Sequence, residues 1–188
     1  MKLRVLVPST IVFLILYVLA YLVQVRAIGG LQRSVFDDSI SFTVLQLLHG
    51  VRVIAAWIFG WWSILMLLPC VGFIYLTLHM AGLPITTERY VVSAVHIVSA
   101  PVCFAILRIV LPEDDRRSTR EWRVVMLAGT LSAVFNALAL GFYFTPDVTT
   151  RQAFVWLAGL IVAQIAGLFV VLLAFRLGLR IIAAPSRG

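Results

Sequence analysis

The sequence predicts an all-α fold: a polytopic transmembrane helical bundle of about six spans. Three observations predict it. Of the 188 residues, 62% are hydrophobic and the mean hydropathy is +1.06, where an ordinary soluble domain is about half apolar. Only 12% are charged, against about a quarter in a soluble domain. Several windows of about 20 residues hold no acid, the length a helix needs to cross the hydrocarbon core. The apolar/polar alternation of an outer-membrane strand does not recur. That leaves helices, which satisfy their own backbone hydrogen bonds within the bilayer.

The elements follow in chain order, as one integral membrane domain over residues 1–188. The first helix is expected over 5–25, with Pro8 near its start, where a missing N–H costs little. The N-terminus starts basic and turns apolar like a signal peptide. No small-residue cleavage site follows, so it reads as a retained helix. A polar connection, 26–41, carries "GG" and "DD" as turn signals. The apolar stretch 42–83 is too long for one span. It reads as helices over 43–59 and 62–80, or as a re-entrant hairpin, broken at "FGWW" by Gly60. The next helix is expected over 90–111 with a kink at Pro101. A charged loop, "PEDDRRSTREWR", follows. The last two helices are expected over 123–144 and 152–175, before a short basic tail.

The net charge of +7 would hint at nucleic acid in a soluble chain. Here the basic residues cluster at the ends of apolar runs, where they act as topology signals and headgroup contacts. Lys2 and Arg4, the group Arg116, Arg117, Arg120 and Arg123, and the group Arg176, Arg180 and Arg187 fall on one side in a six-span arrangement. The positive-inside rule makes that side the cytoplasm, and a bacterial inner membrane is the expected location. Both termini are then inside.

No nucleotide-binding loop, kinase signature or hydrolase elbow is present, and no loop is long enough for a soluble domain. The chain reads as a non-enzyme with no catalytic residues. Cys70 and Cys103 lie within apolar runs without clustered ligands, so they read as small buried residues and no metal site is expected.

All eight acids lie in loops or at helix ends, which leaves no intramembrane carboxylate for a proton relay. The ionisable residues within spans are His49, Arg52, His79, His96 and Arg108. Arg108 can snorkel to headgroups, and His79 is near an end. His49 and Arg52, in "LLHGVRVIAAWIFGWW", are three apart and share a helix face with Gln46 nearby. They lie about 9 and about 13 Å deep at 1.5 Å per residue. A guanidinium at that depth needs pairing or hydration. The candidate ligand-binding set is therefore His49, Arg52, Gln46, His96, Asn136 and Gln164, suited to a carboxylate or phosphate. The alternative is architectural, with Arg52 fixing helix ends. His49 and His96 also allow a b-type haem reading, although no cofactor is assigned. Gly159, Ala163 and Gly167, and likewise Ala133, Ala137 and Gly141, form small-residue stripes for close helix packing, within the bundle or in a dimer.

The stretch "LLHGVRVIAAWIFGWWSILMLLPCVGFIYL" resembles the N-terminal part of bacterial MASE-type membrane-associated sensor domains. Their motif opens with prolines where this chain has Leu48 and His49. The length and helix count are also similar to the substrate-binding subunits of energy-coupling-factor transporters. Either resemblance implies a sensor-like or ligand-binding membrane module that works through a protein partner. The competing reading is an accessory subunit of a larger membrane complex. Expected partners are the bilayer, a protein partner and a small anionic ligand, with no nucleic acid.

Overall fold

A computed structural model describes residues 3–36, 44–111, 122–144 and 151–183. The described residues form an all-α bundle with no strand. The chain opens with α1 (Leu3–Leu22), which passes through a π-helical segment (Val23–Ile28) into α2 (Gly29–Phe36). Then come α3 (Leu47–Phe59), α4 (Trp62–Met80), α5 (Thr87–Val110), α6 (Trp122–Phe144) and α7 (Arg151–Ala183). Five helices among the described residues are long and apolar enough to cross a membrane, the first of them running Arg4–Gln32 through the π segment. Their outward faces carry large apolar side chains such as Ile11, Leu19, Phe154 and Val162, each more than half exposed. Lipid, not water, is the solvent that suits them.

The first rod departs from expectation. A connection was expected from Arg26, with "GG" as its turn. Gly29 is instead helical, at φ −64° and ψ −34°, and its N–H donates to the Gln24 carbonyl, a π-type bond. The helix therefore continues to Phe36. The "DD" pair lies outside the described residues.

The larger correction concerns α3. A full span over 43–59 was expected, but the helix starts at Leu47 and has 13 residues, about 20 Å. The reason is that the Gln46 N–H donates to the Ala163 carbonyl on α7, at 3.0 Å. That bond draws Gln46 out of helical geometry, to ψ 80°. The stretch from Val44 to Phe59 nonetheless runs most of the length of the first rod. Val44 donates to Oε1 of Gln32 at one end of the first rod, and Phe59 meets Phe13 near its other end. Those two points on the rod are roughly 28 Å apart along its axis, close to a hydrocarbon thickness of about 30 Å. This stretch is thus three non-helical residues, 44–46, followed by a short helix.

Non-helical backbone at membrane depth is tolerated where protein covers it; Leu45 and Gln46 are part-buried and Val44 is exposed. Here α3 is buried at all ten positions from Leu47 to Ala56 and packs against α1, α4, α5, α6 and α7. Two glycines make room for it. A Cβ on Gly167 would overlap the Gln46 carbonyl, and one on Gly50 would sit 2.8 Å from Val171 Cβ. At its far end α3 stops at Gly60, whose φ of 56° suits glycine, as "FGWW" predicts. Trp61 and Trp62 are exposed there.

The remaining bounds shift modestly. The helix α5 starts at Thr87, three residues early, behind the extended Thr86. The helix α7 runs eight residues beyond the expected end, to Ala183. Pairwise packing of α5 on α6 and α6 on α7 places Arg4, Arg108, Arg123, Arg176 and Arg180 at one end of the bundle. Arg26, Arg33, Arg89 and Arg151 lie at the other.

Candidate functional site

The centre of the bundle is built by α3, with His49 and Arg52 one turn apart. The His49 ring uses both nitrogens. Nε2 lies 3.0 Å from the Gly129 carbonyl of α6, and Nδ1 lies 3.3 Å from Nδ2 of Asn136. A carbonyl can only accept, so Nε2–H donates and Nδ1 accepts. Gly129 has no Cβ to strike Leu168, so α6 lies close against α7 beside this bond.

Asn136 is the hub of this network. Its Nδ2 also donates to Oε1 of Gln164 at 3.0 Å, and its Oδ1 accepts from Ser99 at 2.9 Å. Ser99 has one proton, already given to Asn136. The 2.8 Å contact between Ser99 and Ser132 must therefore run from Ser132 to Ser99. A polar ladder results, from Ser132 through Ser99 and Asn136 to His49 and Gln164. Its members are all buried. One end is open, since Nε2 of Gln164 has no partner among the described residues. A buried orphan donor of this kind costs about 1–3 kcal/mol.

Arg52 is treated differently. Its Nε donates to the Leu48 carbonyl at 3.1 Å, and its Nη1 reaches the His96 carbonyl at 3.5 Å. The guanidinium has five N–H bonds, so three have no partner among the described residues. No carboxylate among the described residues pairs with it either. The acid on α5 is Glu88, about 12 Å along the helix axis from His96. Arg52 is only 7% exposed. Its charge acts on Tyr17, Cys70, His49 and His96, which come from α1, α4, α3 and α5. The His96 ring has no hydrogen-bond partner among the described residues.

The structure therefore brings His49, Asn136 and Gln164 into direct contact, with Arg52 beside them and His96 beside Arg52. Gln46 contributes its backbone to the α7 crossing. Sequence reasoning missed Ser99, Ser132, Tyr17 and Gln24. Ser99 is three residues from His96 and Ser132 four from Asn136, so helical spacing from the polar residues already singled out would have found both. Oε1 of Gln24 accepts from the Leu48 N–H at 3.4 Å, a position set by the π segment. His79 and Arg108 are exposed near helix ends, away from this centre.

The small-residue stripes are engaged inside the bundle. Ala163 and Gly167 hold the Gln46 backbone, and a Cβ on Gly141 would sit 2.7 Å from Leu157 Cδ2. Ala133 and Ala137 are fully buried, and Gly159 is half-buried. An axial haem ligand needs a free ring nitrogen, and His49 has none, so these residues do not fit the haem reading. Among the described residues, no three His, Cys, Asp or Glu gather as metal ligands. Comparison with known proteins finds no match to the chain, whether among family models, curated proteins or solved structures.

Proposed function

We propose that this chain is a membrane-embedded module that binds a small anionic ligand at Arg52 and acts, sensor-like, through a protein partner. The observation that carries the reading is a largely buried guanidinium whose Nη2 keeps some accessible surface and has no hydrogen-bond partner, and no carboxylate partner, among the described residues. An arginine at mid-membrane costs about 2.5–3.5 kcal/mol or more when left to itself. A carboxylate or phosphate group would answer the charge and fill the guanidinium fork in a bidentate way. The His96 ring beside it, without a hydrogen-bond partner among the described residues, offers a further polar contact. In this reading the ligand is bound and not transformed.

The arginines at the two bundle ends support an orientation. Among the described residues, five lie at the end that holds the α1 N-terminus and the α7 C-terminus, against four at the other, where Glu88 also lies. With six passes, the positive-inside rule favours both termini on the cytoplasmic side, and the location we propose is a bacterial inner membrane. The accessory-subunit reading is less well supported, since the small-residue faces that would receive a partner helix are already used inside the bundle.

The test is gentle-detergent purification from the native host, followed by mass spectrometry of every small molecule and protein that accompanies the chain. The expected result is one anionic small molecule, lost in Arg52→Ala. Stoichiometric protein partners with no small molecule would replace the reading with that of an assembly subunit.

A further inference from the structure

Away from Arg52, the arginine-rich end of the bundle carries a second site. A cleft of about 580 Å³ opens where α3, α6 and α7 meet, walled by Trp57, Trp122, Phe169 and Phe175 and edged by Arg176 and Arg180. This volume lies within the range of about 300–1,000 Å³ usual for small-molecule sites. The sequence placed Arg176 and Arg180 in a tail, but α7 stays helical through both. Their four-residue spacing sets them on one face, and both are exposed. Trp122, 61% exposed at the start of α6, is the type of residue that marks a membrane–water boundary. The cleft thus has an apolar wall facing the acyl region and two guanidinium groups at headgroup level.

We infer that this cleft is a binding site for an anionic phospholipid, with an acyl chain along the aromatic wall and the headgroup phosphate between Arg176 and Arg180. Charge complementarity selects the occupant. A basic pocket between transmembrane helices at the membrane surface matches an acidic headgroup, and the guanidinium pair has no carboxylate partner among the described residues. A zwitterionic lipid fills the apolar wall equally well but leaves the two charges less fully answered. The site does not use Arg52. Loss of the small ligand in Arg52→Ala and loss of lipid at the cleft therefore report on separate claims.

The test is native mass spectrometry of the whole chain in detergent, with phosphatidylglycerol and phosphatidylcholine of matched acyl chains added in turn. Wild type should retain phosphatidylglycerol preferentially. Arg176→Gln combined with Arg180→Gln should weaken that binding about 25-fold, about fivefold per arginine, and leave phosphatidylcholine binding unchanged. Leu173→Trp, which fills the cleft from α7, should reduce both lipids. Arg4→Gln removes a charge from the same end of the bundle and should change neither. Equal binding of the two lipids to wild type would overturn the inference. So would an Arg4→Gln effect as large as that of the double variant, or full displacement of phosphatidylglycerol by millimolar inorganic phosphate.

Discussion

His49 and Arg52 lie one turn apart on the same buried helix, and the bundle treats them in opposite ways. Every polar atom of the His49 ring meets a protein partner. Most of the donor capacity of Arg52 meets none among the described residues. The difference separates two kinds of intramembrane polar residue. One is held by the fold and holds the fold in turn. The other is held in place by the fold, yet its charge is left for something else to answer. Burial alone does not tell them apart, since both are almost fully buried. The accounting of hydrogen bonds does.

Substitutions can break or sharpen this contrast. The largest loss is expected at the hub. Asn136→Leu leaves His49, Ser99 and Gln164 without their shared partner, and should destabilise the protein by about 3–5 kcal/mol, read as loss of folded yield or a large fall in Tm. Gly167→Ala comes next, because its Cβ must displace the Gln46 backbone. An overpacking cost of about 1–3 kcal/mol should appear as a lower Tm, with protease access to the α3 entrance. Ser132→Ala removes only the last donor of the ladder and should cost about 1 kcal/mol in the same melting assay. Arg52→Met should show the smallest effect on stability, near zero or slightly favourable, because it removes a buried charge and keeps an apolar side chain of similar reach. Its effect on ligand retention should be complete. A structural role for Arg52 would reverse this order and place Arg52→Met beside Asn136→Leu.

Much of the bundle was legible in the sequence because hydropathy and helix period are local signals. The boundaries of α4 and the Gly60 turn emerged as expected from an apolar run and one glycine. The short α3 did not. Its start depends on a backbone bond from Gln46 to Ala163, more than a hundred residues away, and on the missing Cβ of Gly167. No local propensity records either. The continuation of the first helix through Gly29 was hidden for the opposite reason. A "GG" pair is a strong turn signal, and only the π-type bond to Gln24 shows that the helix persists. At the site, residue chemistry singled out His49, Arg52, Asn136 and Gln164, since polar groups inside apolar spans are conspicuous. Ser99 and Ser132 escaped because serine is common in membrane helices. Which polar group satisfies which is a three-dimensional fact, and it is that pairing which divides His49 from Arg52.

The most direct measurement is the melting temperature of Arg52→Met against wild type, both dialysed exhaustively in detergent to strip small molecules. Stripped wild type then carries an unanswered charge, so the account predicts that Arg52→Met melts at or above it. A variant that melts several degrees lower would contradict the account and make Arg52 a strut of the fold, like His49.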